Sequence, residues 1–336
     1  MSGRISSGRR TVIKLAVACL GSLLGARSKP IAADQRYPTK PVRIIYPSAT
    51  GGSGEVRARV LAEKLSLRLG QRFIVESKPG AGTTIGTTLV AGAPPDGYTL
   101  LATFTPAFPL GPILYKSARY DPITSFSPIG MFSRGSPFLI VHPSLPAKTL
   151  REFVAYAKAN PGAISIAHGG IGGPNHLPAE LFTRAAGIKV LFVPYKGEAA
   201  ALPDLLGGQV SAMFAYTAIA VPQIKAGKVR ALAVAGSRRN TALPDVPTFA
   251  EAGYAGFQFD ASMLLLGPAG LPQEIVLLLN REIASILNEP DVRATYDASG
   301  AEPVSGSPEE AAALIRREID VNGAFLKALG ISPESD

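Results

Sequence analysis

The chain has 336 residues, 46% hydrophobic and 18% charged, a globular composition long enough for one large or two ordinary domains. Its 35 glycines and 29 prolines follow no strict period, which excludes collagen, and a single cysteine excludes a disulfide framework or a cysteine-rich zinc site. The formal net charge of +9 invites a nucleic-acid reading, which the distribution of the charge removes.

Six of those charges, Arg4, Arg9, Arg10, Lys14, Arg27 and Lys29, lie in residues 1–33, which contain no acid. The basic start, the apolar stretch from Thr11 to Ala26 and the small-residue end Ile31-Ala32-Ala33 form the three-part layout of a cleaved export signal. The apolar run is short for a membrane helix and is interrupted by Lys14. Arg9-Arg10-Thr11-Val12-Ile13-Lys14 resembles a twin-arginine signal, and that route and the ordinary secretory route both stay open. Cys19 lacks a large aliphatic residue three positions before it, so it reads as part of the run and not as a lipidation site. Cleavage near Ala33 leaves a cysteine-free chain of modest charge, suited to an oxidising compartment, with no nucleic-acid partner expected.

Beyond the signal, short apolar runs alternate with amphipathic stretches, the pattern of an α/β protein. Val42–Tyr46 reads as a strand, the glycine loop at 51–54 opens a helix that Gly70 stops, and Phe73–Glu76 is the next strand. A turn at Lys78–Gly82, a helix from Thr84 to Ala91 and a strand at Tyr98–Ala102 complete a β-α-β-α-β unit, which favours parallel strands. A second series starts near Pro137 with the strand Phe138–Val141. Thr149-Leu150-Arg151-Glu152 is a capping box that opens a helix running to Asn160. Strands at Ile164–Ala167, Val190–Val193, Ala212–Phe214 and Arg230–Val234 alternate with helices at His176–Ala186 and Ala199–Leu206. The tail is helical: Ile275, Leu279, Ile283 and Ile286 share one face, and Ser307-Pro308-Glu309-Glu310 caps a helix whose stripe includes Leu314, Ile315, Ile319, Phe325 and Leu326. The expectation is two α/β lobes with more than one crossover. The first lobe takes residues 34–135 and 250–336, and the second takes 136–249.

Catalytic constellations are absent: there is no G-x-S-x-G elbow, H-E-x-x-H helix or phosphate loop of the G-x-x-x-x-G-K-[ST] form. Gly80-Ala81-Gly82 reads as a packing turn before a dinucleotide loop, because Lys78-Pro79 intervene. His168 and His176 stand eight apart with no third ligand, so no metal and no cofactor is expected; His176 reads as a helix-start residue. What remains is a set of glycine loops before helices, at 51–54, 80–82, 169–173 and after Tyr195-Lys196. Such loops gather at the carboxyl ends of parallel strands and offer unpaired helix N–H groups to an anion.

A series of short motifs then resembles the Bug-type periplasmic solute receptors of tripartite tricarboxylate transporters. In order they are Tyr37-Pro38-Thr39-Lys40-Pro41-Val42, Gly51-Gly52, Pro79-Gly80-Ala81-Gly82, Pro95-Asp96-Gly97-Tyr98, Val141-His142-Pro143-Ser144, Val193-Pro194-Tyr195-Lys196-Gly197, Asp204–Gln209, Leu243–Thr248 and Gly267-Pro268-Ala269-Gly270. The resemblance spans nearly all of the chain after the signal. It implies a two-lobed periplasmic binding protein of type II-like form, each lobe a mainly parallel sheet flanked by helices. It also implies a non-catalytic monomer that closes on a small carboxylate and delivers it to membrane transporter subunits. It carries ligand binding to Ser48, Ala49, Thr50, Gly51, Gly52 and Ser53, and to His168, Gly169, Gly170, Gly172, Gly173 and Asn175, with Thr103, Thr105 and Tyr195 as further pocket residues. The chain departs from the family at Ser48, where an aromatic residue is usual. It departs again at His168, Gly169 and Gly173 in place of serines, at Ala215 for an aspartate and at Ser262 for a tryptophan. Two rival functions remain: a ligand-presenting co-receptor for a membrane sensor, and a periplasmic enzyme using His168 and Glu55.

Overall fold

The computed structural model describes residues 37–105 and 107–328, with side chains to 323. The expected export signal, Cys19 and the stripe residues Phe325 and Leu326 lie outside what is described. Among the described residues, ten strands form two five-stranded sheets. The first holds β1 (Val42–Tyr46), β2 (Phe73–Ser77), β3 (Thr99–Phe104), β4 (Phe126–Gly135) and β10 (Ala261–Pro268), in the order β2-β1-β3-β10-β4. The second holds β5 (Phe138–Val141), β6 (Ser165–His168), β7 (Leu191–Pro194), β8 (Ala212–Ala215) and β9 (Arg230–Val234), in the order β7-β6-β8-β5-β9. In each sheet the fourth strand, β10 or β5, runs antiparallel to both neighbours, while the first three are parallel.

The reversed strands have a simple cause. Each is the first strand laid down after the chain passes between the sheets: β5 follows β4 across Ser136 and Pro137, and β10 follows β9 across residues 235–260. A strand that continues in its direction of travel leaves the junction while the other four approach it. The two passages bond to one another through Ala235 N, which donates to Pro137 O at 2.9 Å, and the longer passage closes on itself, Phe259 N donating to Ala235 O at 2.8 Å. The Ser136 hydroxyl also donates to the Asp260 carboxylate.

The expected helices form at α1 (Ser53–Leu69), α2 (Thr84–Ala91), α4 (Leu150–Ala159), α5 (His176–Ala186), α6 (Glu198–Leu206), α8 (Gln273–Ile286) and α10 (Pro308–Ala328). Five elements form where none was expected: α3 (Ala107–Leu114), α7 (Thr217–Lys225), α9 (Pro290–Ser299), β4 and β10. Prolines inside α3 and α7 mask their periodicity, and β10 is buried along its whole length, so it shows no alternation. The tail helices pack on the first sheet's elements, α8 on α1 and β4, α10 on β4 and α3. Phe182, Phe214, Phe249 and Phe257 form an aromatic core in the second sheet's layer, with Phe249 and Phe257 ring centroids 4.5 Å apart. None of the helices among the described residues is long and apolar enough to cross a membrane.

Candidate functional site: a cleft between the two sheets

Six loops meet at one place because each follows the carboxyl end of a parallel strand, three from each sheet. They enclose a cavity of about 580 Å³. The first sheet contributes Pro47–Ala49 and Gly52 after β1, Pro79–Thr83 after β2, and Phe104 at the end of β3. The second contributes Gly169–Ile171 and Gly173–Asn175 after β6, Pro194–Glu198 after β7, and Tyr216 after β8. Tyr46, Phe104 and Tyr216 form an aromatic wall, with Phe104 stacked on Tyr216 at 5.7 Å and edge-on to Tyr46 at 6.4 Å. An aromatic surface is therefore present although position 48 is serine.

The walls touch across the cleft. Tyr115 Oη donates to Ile171 O at 2.7 Å. A Cβ on Gly197, whose φ is +116°, would lie 2.9 Å from the Ala49 Cβ. A Cβ on Gly82, whose φ is +54°, would meet the Tyr115 ring and lie 2.7 Å from Ile171 O. Only glycine permits both the backbone conformation and the approach at these two positions. Ala81 and Thr83, beside Gly82, also hold positive φ, at 41° and 87°, so backbone strain concentrates on the cavity wall.

Of the residues expected at the site, Ser48, Ala49, Gly52, Gly169, Gly170, Gly173, Asn175 and Tyr195 line the cavity. Asn175 is held by Nδ2 donating to Phe214 O at 3.1 Å. The Tyr195 hydroxyl donates to Asp204 Oδ2 at 2.5 Å, which pushes its pKa up to about 12 and turns the ring toward the cavity as an apolar surface.

The others sit off the lining. Thr50 and Gly51 are exposed, and Gly51 N donates to Glu55 Oε2 at 2.6 Å. The Ser53 hydroxyl accepts from Ile219 N at 3.2 Å, tying α1 to α7. Thr103 is fully buried opposite Leu264 of β10, its hydroxyl without a hydrogen-bond partner among the described residues. Thr105 Oγ1 accepts from Ser262 N at 3.2 Å. His168 and His176 are buried behind the β6 loop and accept from Gly170 N and Gly172 N. Burial holds both imidazoles below their usual pKa, and takes His176 down to about 3, out of the range of a general base. Glu55, the other acid–base candidate, is occupied by Gly51 N and Arg59. Among the described residues no group of three His, Cys, Asp or Glu side chains converges for a metal.

Sequence reasoning missed Tyr46, Phe104, Tyr115, Tyr216, the 79–83 wall and Glu198. The glycine turn at 80–82 was visible as one of the loops that offer N–H groups to an anion, but its residues were not among the expected ligand-binding positions. Glu198, outside the helix expected at Ala199–Leu206, stands in the first turn of α6. Its carboxylate reaches both lobes: Oε1 accepts from Tyr216 N, the N-cap residue of α7, at 2.6 Å, and Oε2 from Ser53 N, the first residue of α1, at 3.5 Å. Burial pushes the Glu198 carboxyl up to about 7, against the pull of those amides and of Arg57.

A second cavity of about 550 Å³ lies on the passage side of the molecule, lined by Arg134, Arg238, Arg239, Asp260 and Glu302 among others. Its charges largely satisfy one another or nearby residues: Arg238 Nη2 lies 2.7 Å from Glu302 Oε1, and Arg239 Nε 2.8 Å from Glu251 Oε2. The cleft between the strand ends is the better candidate because loops from the carboxyl ends of three parallel strands in each sheet converge on it.

Known proteins place this architecture. Residues 57–331 match the family described as the tripartite tricarboxylate transporter family receptor. The chain is 37% identical to protein BugT of Bordetella pertussis over 291 residues, 86% of this chain and 89% of that one. Its fold superposes on the periplasmic binding protein BugD with a TM-score of 0.85 at 37% identity, covering 89% of this chain and all of BugD. An R. palustris protein solved with adipate matches with a TM-score of 0.85 at 32% identity, over 89% of this chain and 100% of that one. MatC from Rhodopseudomonas palustris, solved with bound malate, matches at 0.81 and 33%, over 84% and 98%. With two sheets, two passages and a cleft at the strand ends, the chain belongs to the tripartite tricarboxylate transporter receptor family.

Proposed function

We propose that this chain is an exported, monomeric receptor that captures a small organic acid between its lobes and delivers it to the membrane subunits of a tripartite tricarboxylate transporter. The lobes are residues 34–135 with 250–336, and 136–249. The observation that carries the reading is the cleft itself. Loops from the carboxyl ends of three parallel strands in each sheet enclose about 580 Å³, a volume suited to a small molecule. Contacts across it, such as Tyr115 to Ile171, form only when the lobes are together. A ligand that touches both walls binds the closed state better than the open one and shifts the population toward it.

The ligand class follows the relatives, two of which hold the dicarboxylic acids adipate and malate. The backbone amides of Gly80, Ala81, Gly82, Gly169 and Ile171, with the Ser48 hydroxyl and Asn175, are the groups offered to a carboxylate. Delivery to membrane subunits rests on the family, and export on the layout of residues 1–33.

The test is a thermal-stability screen of the purified protein against mono- and dicarboxylates, amino acids and neutral sugars. A ligand that binds only the folded state raises the midpoint by mass action. A selective rise with organic acids is expected. A rise with sugars alone overturns the ligand class.

A further inference from the structure

The anion that bridges the two lobes in this structure is part of the chain. Ser53 N at the start of α1 and Tyr216 N at the cap of α7 come from different sheets, and both donate to the Glu198 carboxylate. These are helix N-termini of the kind a ligand carboxylate would otherwise use. We propose that Glu198 is a specificity-determining residue of the cleft: it fills this amide pair with its own carboxylate, and so selects acids that present a hydrogen-bond donor, not a second carboxylate, to that end of the cavity. The proposal rests on the cleft being the ligand site.

Three observations support it. First, a carboxylate has about four acceptor positions, and the two amides and the Ser53 hydroxyl use three, so Glu198 keeps capacity to accept from one hydroxyl, amide or ammonium of a ligand. Second, the charged residues lining the cavity are Lys196 and Glu198, and Lys196 is exposed on the same loop. Among the described residues no arginine lines the cavity. Arg57 of α1 is 3% exposed and donates to Thr217 Oγ1 at 3.0 Å, away from the lining. A dianion entering this end would therefore face a like charge with no lining guanidinium to offset it. Third, the position is fixed from several sides. Tyr46 of β1, Glu55 and Arg57 of α1 and Tyr216 ahead of α7 are the titratable groups around it, and both tyrosines are raised by burial and stay neutral.

The charge of Glu198 is consequently the variable. When it is ionised, an acid with a neutral or cationic far end fits. When it is protonated, a second carboxylate fits, so a dicarboxylate binds together with a proton.

The experiment is calorimetric titration at pH 8 with two matched sets of probes. The short set is succinate, succinamate and 4-aminobutyrate; the long set is adipate, adipamate and 6-aminohexanoate. Within whichever set binds, the amide- or ammonium-ended acid is expected to bind at least about tenfold more tightly than the dicarboxylate. Glu198→Gln is expected to reverse that order. In the unaltered protein, lowering the pH from 8 to 6 is expected to strengthen dicarboxylate binding while leaving the amide-ended acid unchanged, a readout that does not depend on the variant folding. Tightest binding of the dicarboxylate at pH 8, or an unchanged order in Glu198→Gln, overturns this proposal and leaves the receptor reading standing. Failure of every organic acid to bind both proteins, in these sets and in the thermal screen, overturns the receptor reading and this proposal with it.

Discussion

The imidazole rings of His168 and His176 lie 4.3 Å apart, and each accepts a backbone N–H from the loop that separates them, Gly170 N at 3.3 Å and Gly172 N at 3.2 Å. Because the backbone can only donate, Nδ1 of each ring must be unprotonated, with the proton on Nε2. The loop that walls the cleft is thus fastened by two neutral histidines, packed edge-on against Phe192.

That arrangement sets an acid limit. Burial, reinforced by the neighbouring His168, lowers His176 from 6.5 to about 3. A base with a depressed folded pKa supplies stability that is present above its unfolded value and lost as the pH falls through the folded one. The window is therefore pH 6.5 down to about 3, with a slope of up to about 1.4 kcal/mol per pH unit. Glu180 Oε1, 3.6 Å from His176 Nε2, faces the ring and eases protonation without removing the burial cost. Thermal midpoints measured across pH 7 to 4 should fall, and His176→Gln should show a shallower decline. Equal slopes would remove His176 as the cause.

Glu198 works in the opposite direction. Its carboxyl is raised from 4.5 to about 7, chiefly by burial. A raised acid gives stability that is fully present below pH 4.5 and lost as the pH rises through about 7. In Glu198→Gln that loss is expected to vanish, so the difference in midpoint between variant and parent should grow in the variant's favour from pH 5 to pH 8. A constant difference would contradict it.

Arg57 and Thr217 make an asymmetric pair. The guanidinium is 3% exposed, its Nη2 bonds Thr217 Oγ1 at 3.0 Å, and Nε and Nη1 have no hydrogen-bond partner among the described residues. Thr217→Val leaves a buried charge without that acceptor and should cost about 1.5–3 kcal/mol in urea unfolding. Arg57→Met removes the desolvated charge altogether and should cost less. The reverse order would show that the guanidinium is paired more fully than this geometry indicates.

Gly82 reports on closure. Alanine there must hold φ near +54°, a cost of about 1–2 kcal/mol; its Cβ meets the Tyr115 ring of its own lobe and, when the lobes are together, Ile171 O of the other. Gly82→Ala should therefore be less stable than the parent by at least about 1–2 kcal/mol in the absence of ligand, and should in addition lose at least about tenfold in affinity for whichever acid binds. Unchanged affinity in calorimetric titration would mean that the bound form does not bring these walls into contact.

Local chemistry was legible in the sequence wherever neighbours along the chain satisfy one another. The box at Ser307 closes as written, with Ser307 Oγ accepting from Glu310 N at 3.2 Å and Glu310 Oε2 accepting from Ser307 N at 2.8 Å. At Thr149 the hydroxyl accepts from Glu152 N, while the Glu152 carboxylate takes Lys148 N, one residue earlier than the simple motif implies. The glycine loops beside the cleft were equally visible, because glycine before a helix is a backbone signal. What only the tertiary structure decided is which groups those loops face. β10 shows no alternation because both of its faces are buried, and its reversed direction follows from the chain's passage between sheets. Glu198 and Ser53 stand 145 positions apart, and nothing local distinguishes an acid that starts a helix from one that also caps two others. Hydrogen bonds between neighbours are settled by spacing along the chain; the occupant of an amide pair shared by two lobes is settled only once the lobes meet.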